Sequence, residues 1–441
     1  MAATPHGQAQ NCKGRRYRRK QRKLVNSENI SHERKHIELQ QWLSQNGVKY
    51  HHLRPANFKT TGRGLMTVKA YKDGDVIISI PKKLLITTQV ALESELKDVI
   101  VRFPKKLTAR LIICAFLIIE KMKGSSSFWA PYIRCLPESF DTPAYFTEEE
   151  LSLLPDSLQV KSKEQRVKIQ QEFRKLKQFF RFAKEFNICK GEELSLSFFK
   201  WAWFVVNTRS LYMEESYSAG RYLDPSEKDV YVLAPFLDLL NHSPEVDVTG
   251  AYNPSNDCYE ISTVTPFHRY DQVFIYYGPH DNKTLLLDYG FVVPSNPHSV
   301  VQISLDDVVK MSAGHMESTF PEDYAIEERQ KVITENHLWD FSCSLNGLSW
   351  HLAICLDILC LDPNQFGREE WKSIVAGHET PDNCKDRSTR VAKNVLKQYL
   401  EETSKKCQEI SAVGHQTDHI LMVLQLFHEE EEILTNCLSK L

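Results

Sequence analysis

The chain has 441 residues, 42% hydrophobic and 25% charged, an ordinary globular composition with apolar material for two or three domain cores. Its 55 Lys and Arg nearly balance 57 Asp and Glu, but residues 13–23 (KGRRYRRKQRK) hold eight of the basic side chains and no acid precedes Glu28, so the remainder carries -10. No run approaches the ~18 to 20 consecutive apolar residues that a membrane span needs, and no apolar stretch follows the charged N-terminus, so neither a membrane span nor a secretory signal is expected and the expected compartments are nucleus and cytoplasm.

In chain order, residues 1–28 read as a disordered basic tail, equally a solvated end or an address for an import receptor or nucleic acid. From Ser31 a helix is predicted, with Leu39, Trp42 and Leu43 on one face and Gly47 as its stop. Short apolar runs follow at 48–58, 64–68 and 76–80, the last ended by Pro81, and read as strands. Between about 92 and 207 the pattern turns helical: 107–121 is apolar enough to be buried, Thr147 and Glu150 form a capping box, 162–186 is long, basic and aromatic, and 195–206 is rich in Trp and Phe.

Strand character returns at 230–233, 247–252, 258–264 and 273–276. Asn282 is read as opening a helix through Leu285, Leu286 and Leu287. Beyond about 305 the chain is mostly helical, clearest at 350–361, 387–401 and 419–438. Neither strand group alone could close a stable sheet, so the simplest account is an α+β protein. A small β-domain, interrupted by helices, occupies 29–299, and a mainly helical domain occupies 300–441. Eleven scattered cysteines include no C-x-x-C pair, so neither a zinc cluster nor a disulfide framework is indicated and most are expected to be core thiols.

The phosphate-loop, dinucleotide, zinc-protease and nucleophile-elbow signatures are absent. Three stretches stand out. Gly62-Arg63-Gly64-Leu65 has two glycines one residue apart, which let a ligand approach the backbone closely; taken alone, a plain strand-connecting turn explains it better. Asp238-Leu239-Leu240-Asn241-His242-Ser243 ends an apolar run with a donor and acceptor pair suited to a cofactor, or is a capped turn before Pro244. Tyr276-Tyr277-Gly278 is followed twelve residues later by Tyr289-Gly290-Phe291. Two phenols brought toward one point could orient an amine, although most tyrosines simply pack.

Taken jointly and in this order, these motifs resemble those of the SET-domain methyltransferases. The helical insertion after the first motif and the helical domain after the third resemble the split-SET branch typified by Rubisco large-subunit methyltransferase. The stretches SFWAPYIRCLP, WAWFVVNTRSLY, APFLDLLNHSP and YYGPHDNKTLLLDYGF carry the resemblance from about residue 30 onward. It implies S-adenosyl-L-methionine as cofactor, no metal, and a cofactor pocket formed by Gly62, Arg63, Gly64, Leu65, Arg209, Asp238, Asn241, His242, Tyr277, Tyr289 and Phe291. Tyr277 matches the catalytic tyrosine and Tyr289 a second aromatic of the lysine channel. Tyr276 departs from the pattern.

The implied reaction is N-methylation of a lysine in a histone or non-histone protein by a monomer. The alternative is a catalytically quiet SET-fold adaptor for peptides or chromatin. Either could use residues 13–23 to reach nucleic acid or an import receptor.

Overall fold

The computed structural model describes residues 27–50, 52–188, 193–213, 218–320 and 325–441. The basic run 13–23 lies outside them. The last two residues of the expected tail, Ser27 and Glu28, instead begin a strand. Two compact units emerge, one comprising the chain up to residue 140 with 166–278, the other 141–165 with 279–441. The division falls at Gly278, earlier than residue 299, and part of the helical insertion groups with the C-terminal unit.

The first unit contains β1 (Ser27–Asn29), β2 (Leu53–Phe58), β3 (Gly62–Thr67), β4 (Val76–Pro81), β5 (Ser210–Tyr212), β6 (Tyr231–Leu233), β7 (Asn241–His242), β8 (Val248–Asn253), β9 (Cys258–Thr263) and β10 (Gln272–Ile275). They form a five-stranded sheet in the order β1-β2-β3-β10-β7, a three-stranded sheet β4-β9-β8 and the pair β5-β6. Gly62-Arg63-Gly64 is not a turn: it is the first half of β3, opposite Phe58, Asn57 and Ala56. The reversal lies at 59–61.

Helix α1 (Arg34–Gln45) buries Leu39, Trp42 and Leu43 as the periodicity predicts. The insertion contributes α2 (Ala109–Met122), α3 (Asp156–Ala183) and α4 (Leu196–Arg209). Helix α2 is apolar around nearly its whole circumference and is correspondingly buried; Thr108 caps it by accepting from Leu111 N at 3.4 Å. Helix α4 starts at the Ser195 cap, which accepts from Phe198 N at 3.2 Å.

In the second unit the capping box forms as the sequence predicts. Thr147 Oγ1 accepts from Glu150 N at 3.1 Å, and Glu150 Oε2 accepts from Thr147 N at 2.9 Å. That start aims Leu151, Leu154 and Leu158 at Leu286, Ile420, Val423 and Leu426, forming one apolar cluster. This burial is why 141–165 belongs with the C-terminal helices. A second cluster joins Val308, Leu352, Leu356, Val391, Val395 and Leu434 from α5 (Trp350–Cys360), α6 (Asp382–Ser411), α7 (Asp418–Lys440) and the segments around them.

This unit also holds a sheet that hydropathy does not reveal: β11 (Val300–Gln302), β12 (Ser342–Ser344) and β13 (Gly347–Leu348). Strands of two or three residues are too short to show alternation. The nine described cysteines are buried and unbridged. Among the described residues no helix is long and apolar enough to cross a membrane.

Candidate active site

The site grows from β10, which pairs on one side with β3, antiparallel, and on the other with β7, parallel. Val273 faces Leu65, Phe274 faces Asn241 and Ile275 faces His242. Three stretches far apart in sequence thus meet across about two strand spacings.

The side chain of Asn241 fastens this junction, with Nδ2 donating to the carbonyls of Thr61 and Arg63, both at 3.2 Å. Gly64 makes the approach possible. A Cβ there would stand 3.0 Å from Asn241 Nδ2 and 2.8 Å from Gln272 Nε2, closer than carbon can sit without displacing them. Leu65 is fully buried behind the two glycines. Gln272 is held in turn by Thr61, whose Oγ1 donates to Oε1 at 2.8 Å.

Tyr277, two residues past β10, is tied at both ends. Its backbone N–H donates to His242 Nδ1 at 3.1 Å, and its hydroxyl donates to the Leu240 carbonyl at 2.7 Å. An accepting Nδ1 places the proton of neutral His242 on Nε2. The imidazole packs against Tyr276 and Tyr277, with ring centroids 5.7 and 5.2 Å away. Tyr276 is therefore a packing partner for His242. With its own proton committed to Leu240, the Tyr277 oxygen can meet an incoming donor only as an acceptor.

Asp238 lies in the turn leading into β7, where the preceding Phe236 has φ +73°, uncommon for a bulky residue. Its carbonyl accepts from Arg209 Nη1 at 2.7 Å, its Oδ2 stands 3.5 Å from the same nitrogen, and Tyr132 donates to Oδ2 at 3.1 Å. Burial pushes the Asp238 carboxyl above its ordinary value, against the pull of Arg209. Burial first, then the like charge of Arg209, makes the charged form of Arg63 costlier. Burial and then Arg63 lower His36 to about 4, so its imidazole is neutral at physiological pH. Beside it, Cys135 Sγ lies 3.9 Å from His36 Nδ1.

The structure therefore brings Gly62, Arg63, Gly64, Leu65, Arg209, Asp238, Asn241, His242 and Tyr277 together in the first unit. Sequence reasoning missed Tyr132, His36, Cys135, Gln272 and the Leu240 carbonyl. Tyr132 and Cys135 do fall in SFWAPYIRCLP, one of the stretches that carries the resemblance.

Tyr289 and Phe291 lie in the second unit. The expected helix opens at Asn282, with Asp281 as its cap, and after Thr284 continues as a wider π turn through Leu285–Tyr289. The Tyr289 ring contacts His280 and Phe291, centroids 5.8 and 6.1 Å away. Burial raises its phenol pKa, as does Asp288. Asn282 Nδ2 braces the segment by donating to the Val293 carbonyl at 2.7 Å and to Glu429 Oε1 at 2.8 Å.

A strand with two glycines, a short parallel strand ending in Asn-His, and a tyrosine tied back onto that strand together define a known kind of site. A family model described as the SET domain matches residues 62–278, from the first glycine of β3 to the glycine after Tyr277. Human SET domain-containing protein 4 is 34% identical over 436 residues, covering 96% of each chain. The chain belongs to the SET-domain family. Mouse actin-histidine N-methyltransferase is 28% identical over 270 residues, covering 61% of this chain and 44% of that protein. Among solved structures, the SET domain of LSMT bound to lysine and AdoHcy superposes with a TM-score of 0.58 at 20% identity, covering 91% of this chain and 89% of that one.

Proposed function

We propose that the chain is an S-adenosyl-L-methionine-dependent protein-lysine N-methyltransferase and that Tyr277 is its catalytic tyrosine. One observation carries this reading: the Tyr277 hydroxyl is fixed by its bond to the Leu240 carbonyl, at the crossing of β10 with the Asn-His strand and beside β3.

The surrounding residues suit the cofactor. At Gly64 the backbone runs so close to Asn241 and Gln272 that a Cβ would press on both. Among the described residues, Gln272 Nε2, Arg209 Nε and Asp238 Oδ1 are buried without a hydrogen-bond partner, a donor and acceptor set matching an amino-acid moiety and a hydroxylated sugar. Gly62, Arg63, Gly64, Leu65, Asn241 and His242 would shape the pocket, with Arg209 and Asp238 at its polar end. The bound cofactor supplies an electrophilic methyl group on a positively charged sulfur.

A lysine amine must be neutral to attack, yet its ordinary pKa is about 10.4. An apolar, aromatic approach disfavours the ammonium and drives its proton to water. The Tyr277 oxygen then accepts an N–H of the amine and turns its lone pair toward the methyl group. This is alignment, the kind of work that can be worth several kcal/mol.

The test is a labelled-cofactor methylation assay on protein and peptide arrays. Tyr277→Phe is expected to lower methylation roughly 10²-fold while cofactor affinity stays within a few-fold. Full activity in Tyr277→Phe would overturn the role. A second reading, histidine as acceptor, is supported by the actin-histidine relative. The rate for a lysine keeps rising toward alkaline pH, whereas that for a histidine levels off above its pKa of about 6.5, and mass spectrometry of the product separates the two directly. Histone and non-histone lysines are both candidate substrates, and nucleus and cytoplasm the proposed compartments.

A further inference from the structure

Outside the proposed active site, a thiol, an imidazole and a carboxylate converge where α6 packs on α7 in the second unit. Cys407 Sγ lies 3.7 Å from His428 Nδ1, and that nitrogen lies 3.1 Å from Glu431 Oε2. All three donor atoms fall within 4.8 Å of one another. Tetrahedral zinc, with Zn–N about 2.0 Å and Zn–S about 2.3 Å, sets neighbouring N and S ligands about 3.5 Å apart. The Sγ–Nδ1 separation of 3.7 Å is close to this before any ion enters.

The surroundings suit an ion as well. Cys407 belongs to the apolar cluster with Leu426 and Phe427, so a low-dielectric wall backs the sulfur. His428 is 56% exposed, which leaves an entry path and room for a water as fourth ligand. Ser404 Oγ donates to Glu431 Oε1 at 2.5 Å, holding the carboxylate so that Oε2 faces the histidine, as outer partners of metal ligands commonly do. His428 and Glu431 are one helical turn apart on α7, and Cys407 comes from the neighbouring helix, so no short sequence motif announces the set.

We infer that Cys407, His428 and Glu431 form a three-ligand site for a borderline divalent cation, zinc by preference, that clamps α6 to α7 and keeps its fourth position open to solvent. Soft thiolate with imidazole and one carboxylate favours zinc over magnesium or calcium, which prefer all-oxygen sets. In the metal-free protein burial, reinforced by the Glu431 charge, pushes the Cys407 thiol up to about 12. Binding therefore forms a metal–sulfur bond and releases the thiol proton to solvent.

The experiment titrates the full-length, metal-stripped chain with Co²⁺ as a spectroscopic stand-in and then displaces it with Zn²⁺. The wild type should take up one equivalent, with a thiolate-to-cobalt charge-transfer band that Zn²⁺ abolishes, and should gain thermal stability with Zn²⁺. Cys407→Ser should lose the band. His428→Ala, a change at an exposed position that leaves the fold intact, should weaken binding about tenfold or more. The inference is overturned if the wild type shows no band, or if both variants keep the wild-type band and stoichiometry.

Discussion

Gly62 and Gly64 serve different physical needs, and substitution separates them. Gly62 has φ +66° and open space where a Cβ would go, whereas at Gly64 a Cβ would press on Asn241 and Gln272. Gly62→Ala is expected to cost about 1–2 kcal/mol of stability through backbone strain alone, with a smaller loss of cofactor affinity than Gly64→Ala. Gly64→Ala should cost about 1–3 kcal/mol and also weaken cofactor binding, because Gln272 and Asn241 must both shift. Urea midpoints and calorimetric titration of the two variants, side by side, check this. Equal losses of affinity would show that the close packing at Gly64 does not shape the pocket. The glycines, Asn241 and Tyr277 were legible in the sequence because their residue types are chemically unusual at those spacings. The Leu240 carbonyl was not, since every residue offers one, and Gln272 and Tyr132 matter only through partners that the fold supplies.

At the scale of elements, what could be read was what is local. The Thr147 box and the face of α1 each depend on residues within one or two turns. By contrast, β11 is specified by pairing with β12 across about forty residues, and the π turn at Leu285–Tyr289 by what surrounds Gly290. That glycine has φ +82°, and a Cβ on it would lie 2.9 Å from the backbone of Asp141 and Thr142. Two penalties therefore combine in Gly290→Ala, left-handed strain and a collision with main chain that cannot swing away. The expected loss is about 2–4 kcal/mol. Gly377→Ala, at φ +86° with nothing nearby, should show the strain alone, about 1–2 kcal/mol. Gly290→Asn should not rescue, because asparagine tolerates the dihedral but still carries the Cβ. Chemical denaturation of the three variants checks the ordering.

For the molecule as a whole, the near-zero net charge is the sum of a basic segment and an acidic remainder. If the segment is an address and not part of the catalytic machinery, removing residues 1–26 should leave methylation of a short lysine peptide unchanged. The same truncation should abolish the steep salt dependence of nucleic-acid association that the full chain would show. A filter-binding series over ionic strength, run alongside the peptide assay, measures both. A fall in peptide turnover would mean that the segment takes part in substrate binding.

The parallel pairing of β7 with β10 bears on how the protein comes to be active. Asn241 reaches carbonyls 180 and 178 residues earlier in the chain, with the helical insertion in between. Contacts of such long sequence separation form slowly, since large loops must close before any stabilisation is gained. Glycine strand, Asn-His strand and tyrosine therefore become a pocket only when the first unit is nearly complete, and a nascent or partly unfolded chain holds no fragment of it. Cofactor present during refolding would bind only that finished state and draw the population toward it, so its concentration would govern yield as well as turnover.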